Sequence, residues 1–326
     1  MKIGLFLSAQ LEPGADVVQG VRHLAEQAEL AEAVGFDSLF VGHHYLTHSA
    51  FLQPLSLLGW LAGRTQRVQL GTGVYLAPLV NPLALAEEVA TIDALSGGRL
   101  ILGIGSGYRD REYKALGVPF EDRFKRLETA THVLRALLAG EEVTGDFAFG
   151  SLDRARIHLR GRPEGAPDIW MGAFGEIGLK RAARLGCSWL APPDGDAAEL
   201  IERFAQFRGF LEAAGQSTDR DYPIMREAVV APTMEAARET ARTHMARQYA
   251  QYKQWQAAAG ASIDDLLDRF GVVGDPDHVV ARIRTLRDTL GVTHFLMRVQ
   301  WTGMPHDEAL ACIRLMGEAV LPRLRD

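Results

Sequence analysis

The chain has 326 residues, 47% of them hydrophobic and 23% charged, with a formal net charge of −6; that is the mix of a folded globular protein. An acidic balance with no basic block argues against nucleic acid and anionic membranes as partners, so a ligand phosphate would have to be held locally, by backbone amides and a few placed arginines. Cys187 and Cys312 make no disulfide scaffold and read as reduced thiols of a cytoplasmic protein, the N-terminal apolar run is too short for a signal peptide, and no stretch approaches the roughly 20 apolar residues of a membrane span.

Short β-rich runs alternate with longer helical ones. Ile3 to Ser8 is a compact apolar run suited to a buried parallel strand. Val17, Val21, Leu24, Ala28 and Ala31 recur at spacings of 4, 3, 4 and 3, one face of a helix that Gly35 stops. Phe36 to Gly42 is the second strand and Leu52 to Ala62 the second helix; Val68 to Leu76 is the third strand and Leu83 to Leu95 the third helix. Gly97-Gly98 precedes the fourth strand, Leu100 to Ile104. The next helix shows Phe124, Leu127, Thr131, Leu134 and Leu138 on one face. Residues 140–166 lack a period and read as a long loop with room for a short hairpin.

Asp168 to Gly172 is the fifth strand, Ile177 to Leu185 the fifth helix, Ser188 to Ala191 the sixth strand, Ala197 to Ala214 the sixth helix and Ile224 to Ala231 the seventh strand. About 60 residues follow before the eighth strand, His294 to Val299, and they hold Glu235 to Ala259, Ile263 to Phe270 and Val279 to Leu290. That is more helix than one βα unit needs. Ala309, Ile313, Met316 and Val320 mark the closing helix. The alternation predicts one α/β domain spanning residues 1–326, a (β/α)₈ TIM barrel with a helical insertion after strand seven at about residues 232–275. A doubly wound sheet would carry a glycine-rich fingerprint after its first strand, where this chain has Ala9-Gln10-Leu11-Glu12-Pro13-Gly14.

In such a barrel, function sits at the C-terminal strand ends. Strand two ends in Gly42-His43-His44-Tyr45. Adjacent histidines on an extended segment point to opposite sides, so one can face the mouth, and histidine exchanges protons near neutral pH. With no HExxH pattern nearby, a metal is not expected. Gly105-Ser106-Gly107-Tyr108 follows strand four; its glycines let amides approach an anion, or simply make a tight turn. Arg109, Arg111, Arg123 and Arg126 lie downstream, and Arg123 is the preferred phosphate ligand. Ala173-Phe174-Gly175 opens a helix whose amides and dipole suit phosphate, or is a small-residue turn. Gly71-Thr72-Gly73 within strand three leaves room for a flat ring, and Trp301 either walls a pocket or caps the core.

Taken in order, these segments resemble the bacterial luciferase-like flavin monooxygenase family. Gly35-Phe36-Asp37-Ser38 leading to His43-His44-Tyr45 resembles its GFD…EHHF stretch. Leu70-Gly71-Thr72-Gly73 followed by Asn81-Pro82 resembles its third strand and helix start. Asp93-Ala94-Leu95-Ser96-Gly97-Gly98-Arg99 resembles its D-x-x-S-x-G-R segment, and Val273-Gly274-Asp275-Pro276 its VGTPEE segment. The resemblance implies a homodimer and reduced FMN supplied by a separate flavin reductase. It also implies dioxygen adding at flavin C4a, the resulting hydroperoxide oxygenating a small organic substrate. It gives His43 the place nearest the reacting centre, Ser106, Gly107 and Tyr108 contact with ring and phosphate, and Arg123, Ala173, Phe174 and Gly175 the phosphate.

Two departures, Gly42 for a glutamate and Gly105 for the reactive cysteine of the light-emitting members, argue against luminescence. The same motifs fit a deazaflavin branch that transfers hydride as a dehydrogenase or reductase, and a non-catalytic flavin-binding protein is a third reading. Arg238 to Phe270, with Tyr249, Tyr252 and Trp255, reads either as a lid that keeps water from the flavin or as a helical hairpin on the barrel exterior.

Overall fold

A computed structural model of the chain describes residues 1–162, 165–193, 195–253 and 262–325, the side chains of 246–253 excepted. The strands are β1 (Lys2–Leu7), β2 (Ser38–Val41), β3 (Gln69–Thr72), β4 (Leu100–Gly105), β5 (Val143–Phe147), β6 (Gly150–Ala155), β7 (Asp168–Gly172), β8 (Ser188–Leu190), β9 (Pro223–Val230), β10 (Val272–Gly274) and β11 (His294–Arg298). The helices are α1 (Val17–Val34), α2 (Pro54–Ala62), α3 (Pro82–Leu95), α4 (Asp110–Ala115), α5 (Arg123–Leu138), α6 (Gly175–Arg184), α7 (Ala197–Ala213), α8 (Met234–Lys253), α9 (Ile263–Phe270), α10 (Pro276–Leu290), α11 (His306–Leu315) and α12 (Leu321–Arg325).

Among the described residues, nine strands form one curled parallel sheet in the order β10-β9-β11-β1-β2-β3-β4-β7-β8. The far end of the curl turns back toward β9: Ala191, just past β8, bridges Ile224, and its N–H donates to the Pro223 carbonyl at 3.0 Å. The architecture is therefore barrel-like, with helices outside. α1 shows how locally the elements are set. The Asp16 side chain accepts from the amides of Val18 and Gln19 at its start. Gly35, at φ 107°, donates to the carbonyls of Ala31 and Glu32 at its end, a left-handed cap that favours glycine.

The two-residue period of the strands sorts their side chains into two cores. Ile3, Leu5, Leu7, Leu39 and Val41 pack outward against the helices. Phe6, Phe40, Ile101, Trp170, Leu190, Met225 and Leu296 form a separate cluster that fills the lumen, with Phe40 and Trp170 stacked at 5.1 Å. At the N-terminal end, the Ser38 hydroxyl and His294 Nε2 lie 2.7 Å apart.

The D-x-x-S-x-G-R segment proves to be scaffold. Buried Asp93 accepts from Arg162 Nε at 3.0 Å and Nη2 at 2.7 Å. Arg99 donates to the carbonyls of Ala62, Thr65, Val68 and Ser96, tying the α2–β3 turn to the α3–β4 turn at the N-terminal end of the sheet, away from the mouth.

Some expectations needed correction. Strand three stops at Thr72; the Gly73-Val74 peptide is cis and the chain rejoins the sheet where Tyr75 bridges Ile104. The charged stretch after strand four holds the short helix α4, and β10 pairs beside β9 where only helix was expected. The aperiodic 140–166 region does carry a hairpin, β5–β6. Of the expected lid, the side chains of Tyr249 and Tyr252 and all of Trp255 lie outside the described residues. No helix among the described residues is long and apolar enough to cross a membrane.

Candidate active site

Four glycines, Gly42, Gly73, Gly105 and Gly172, stand at the C-terminal ends of β2, β3, β4 and β7 on the side that continues the lumen-facing alternation. A Cβ at Gly105 would lie 2.6 Å from Val74 Cγ2, one at Gly172 3.0 Å from Val74 Cγ1, and one at Gly73 3.0 Å from Phe6 Cε2. Those separations are below ordinary van der Waals contact, so any side chain there would displace Val74 or Phe6. The mouth thus has an apolar floor of Val74 and Phe6 and walls thinned to backbone, a space suited to a flat ring. Thr72 faces away from it; its hydroxyl is buried and donates to the Gly103 carbonyl at 2.6 Å.

The two histidines separate as an extended segment requires, His43 buried and His44 toward the mouth. His43 is 3% exposed and stacks on Tyr75 at 4.3 Å. The Leu76 N–H donates to its Nδ1 at 3.2 Å, so the proton resides on Nε2, which donates to Gln53 Oε1 at 2.9 Å. The Gln53 amide nitrogen in turn donates to the His44 carbonyl at 3.2 Å, which fixes that orientation. Burial pushes the His43 pKa down to about 4, against a weaker opposing pull from the Gln53 hydrogen bond. His43 is a neutral structural bracket beneath the loop, with both ring nitrogens already bonded.

His44 takes the mouth side, edge-on to Phe51 at 5.7 Å and Tyr108 at 5.8 Å. Its Nδ1 lies 3.0 Å from Glu112 Oε1. The same oxygen accepts from the Tyr45 N–H at 2.8 Å and from Arg109 Nη1 at 3.0 Å. Burial works to raise the Glu112 pKa, but the His44 hydrogen bond and charge, the Tyr45 amide and Arg109 together hold it below the usual carboxylate range. An ionised Glu112 takes the Nδ1 proton of His44 as its hydrogen bond and leaves Nε2 as the basic nitrogen. Glu112, on α4, was invisible to a reading that saw no helix there.

The His43 shift has a measurable consequence. Its folded pKa lies below the unfolded value, so the unfolded chain binds this proton first as pH falls, and stability is lost from about pH 6.5 down to about 4. The loss approaches ~3 kcal/mol only below the folded pKa, where both states carry the proton. Urea denaturation of the wild type and His43→Gln at pH 7 and 4.5 checks this: the variant should lack that share of the pH dependence. Equal slopes in both proteins would show that His43 is not the buried neutral group described.

Beside the mouth lies a cleft of about 500 Å³ lined by Tyr108, Ala173, Phe174, Gly175, Trp189, Pro192, Gly195, Glu199, Leu200 and Arg203. Four predicted residues thus converge on one wall. Gly175 opens α6 at φ 63° with nothing within 4 Å of a would-be Cβ, and the N-cap Phe174 offers no side-chain hydrogen bond. The first amides of α6 are therefore presented to the cleft without a side-chain cap, an arrangement that suits an anion. Trp189 Nε1 donates to the Ala173 carbonyl at 3.0 Å and steadies that turn. The neighbouring loop is held by Tyr113, whose hydroxyl donates to the Ser106 carbonyl, with Gly107 at φ 69°. Arg123 does not line the cleft. Its Nη1 donates to the Phe120 carbonyl at 2.9 Å, and its guanidinium lies 4.0 Å over Phe120 and 4.3 Å over Phe124. The cation lining the cleft among the described residues is Arg203, paired with Glu199 at 2.6 Å. A larger hollow of about 630 Å³ lies between α5 and the β5–β6 hairpin and is lined by neither His43 nor His44.

The mouth also holds an ion pair that the sequence reading missed. Glu227 on β9 is 1% exposed and Arg298 on β11 is 8% exposed. Arg298 donates through Nε to Glu227 Oε2 at 2.9 Å and through Nη2 to Oε1, and Trp301 Nε1 donates to Oε2 at 2.7 Å. The signal was there: charged residues inside the mostly apolar runs of β9 and β11 are rarely buried without a purpose.

Comparison with known proteins agrees with this geometry. Residues 1–294 match the family described as luciferase-like monooxygenase. The chain is 32% identical to the F420-dependent glucose-6-phosphate dehydrogenase of Nakamurella multipartita over 94% of its own length and 93% of that protein. It is 27% identical to the 4-hydroxyprotoasukamycin monooxygenase of Streptomyces nodosus subsp. asukaensis, over 89% and 83%. The crystal structure of the monooxygenase RslO1 from Streptomyces bottropensis superposes with a TM-score of 0.90 at 25% identity, covering 99% of both chains.

Proposed function

We propose, for a chain that belongs to the family of luciferase-like monooxygenases and is an oxidoreductase, that it uses reduced FMN and dioxygen to oxygenate a small organic substrate at the barrel mouth. The observation that carries this reading is the juxtaposition of the glycine-thinned mouth, the His44–Glu112 pair and the cleft with the uncapped start of α6. Val74, Phe6 and the four glycines would hold the ring, and the amides of Ala173, Phe174, Gly175 and the first turn of α6 the phosphate, with Ser106, Gly107 and Tyr108 between them. Reduced FMN bound there would supply the two electrons that activate dioxygen. His44 accepts or delivers a proton at Nε2, and Glu112, on its Nδ1, fixes its tautomer. Tyr108 and Phe174 screen the mouth from water. His43, expected to lie nearest the reacting centre, serves the loop that carries His44, and Arg123 is left to the surface beside α5.

The same proposal includes a single domain over residues 1–326, a (β/α)₈ barrel with an insertion at about 232–275, a cytoplasmic homodimer, and a separate reductase that delivers the flavin. One observation favours a second reading. A carboxylate-backed histidine is also the base that an alcohol needs when hydride leaves to a deazaflavin, and the Nakamurella relative is named for F420-dependent dehydrogenation. Stopped-flow mixing of protein-bound reduced FMN with dioxygen separates the two. An absorbance course distinct from that of free reduced FMN is expected. A course identical to that of free reduced FMN would sink the oxygenase reading and favour hydride transfer.

A further inference from the structure

We infer that the mouth selects uncharged substrates, and that Glu227 is the residue that enforces this selection. The inference rests on the reading of the mouth as the substrate site. Glu227 and Arg298 continue the lumen-facing positions of Met225 on β9 and Leu296 on β11. They therefore form the wall between β8 and β1, at the same C-terminal end of the sheet as the glycine-bearing strand ends. Arg298 is the cation an incoming carboxylate or phosphate would seek, and it is held at two nitrogens by Glu227. Trp301 Nε1, the neutral donor beside it, is turned onto the same carboxylate.

The other arginines near the mouth are likewise committed, Arg203 in the neighbouring cleft to Glu199. Arg109 is bonded to Glu112 and to the carbonyls of Tyr45 and Leu46. Arg226 is bonded to the carbonyls of Pro192, Pro193 and Gly195. An anionic substrate would have to displace a buried carboxylate from its arginine, or be desolvated beside two buried carboxylates, Glu112 and Glu227. Both routes cost free energy that a neutral molecule of the same shape does not lose. The pair is thus a device against one class of ligand rather than a contact for another.

The test uses the FMN-loaded protein and probes matched in shape, hexanal with hexanoate and indole with indole-3-carboxylate, followed by tryptophan fluorescence and ligand-induced thermal shift. In the wild type the neutral member of each pair should bind at least about tenfold more tightly than the anion. Glu227→Gln, which keeps the volume and frees the guanidinium charge, should raise affinity for the carboxylates by about tenfold or more. The double variant Glu227→Leu/Arg298→Met, which removes both charges, should return the neutral preference, which attributes the carboxylate affinity of Glu227→Gln to the freed Arg298. Anions binding the wild type as tightly as their neutral partners, or a folded Glu227→Gln with unchanged preference, would overturn the inference. FMN titration of the same samples and repetition without FMN keep the two readings apart: absent FMN binding strikes the proposed cofactor, while the charge preference stands or falls on the probe pairs.

Discussion

Replacing His44 by glutamine is expected to lower turnover on the order of 10²- to 10⁴-fold, the range of a lost general acid–base group, whereas His43→Gln should cost less than about tenfold once folding is allowed for. The contrast follows from the hydrogen bonds. His43 has Leu76 and Gln53 on its two ring nitrogens and lies beneath the loop. His44 has one nitrogen on a buried carboxylate and faces the mouth. Glu112→Gln should reproduce most of the His44 loss and add little to it in the double variant, since the two side chains act as one unit. Steady-state rates of the four proteins across pH decide this. A larger loss at His43 than at His44 would restore the role that family resemblance gave to the first histidine.

Asp93→Ala should destabilise the fold by about 3 kcal/mol or more without changing cofactor affinity. Asp93 is fully buried, and Arg162 sits on both of its oxygens. Truncation leaves that guanidinium facing an empty site and frees the Leu100 amide that also donates to Asp93. Urea unfolding measures the first expectation and flavin titration the second. A loss below about 1 kcal/mol, or weakened flavin binding at full stability, would move this motif from the scaffold to the site.

The strands were legible because a buried, barrel-like parallel sheet writes most of them as compact apolar runs, and Asp16 and Gly35 bracket α1 with local cap chemistry. The glycine-bearing strand ends were legible too, since glycine in a strand has few other reasons to be there. What the sequence hid was partnership across the chain. His43 and His44 differ in role because Leu76 and Glu112, 33 and 68 residues away, choose between them. Arg123 read as a phosphate ligand from its place near a glycine loop. Its neighbours Phe120 and Phe124 hold it over their rings, while Arg203, which carried no sequence signal, lines the cleft. Glu227 and Arg298 sit on two strands far apart in sequence, and their pairing follows from register alone, which places Arg298 against Glu227. α4 escaped because its six residues are too few and too charged to show a helical period.

The most direct test of the account is anaerobic titration of the purified chain with reduced FMN and, in parallel, with a reduced deazaflavin cofactor, for the wild type and for Gly105→Val. A valine there would collide with Val74 in the floor of the mouth. The account predicts saturable binding of reduced FMN at one site per chain, weaker binding of the deazaflavin, and loss of FMN binding in a folded Gly105→Val. Tighter binding of the deazaflavin, or FMN affinity untouched by the substitution, would contradict it.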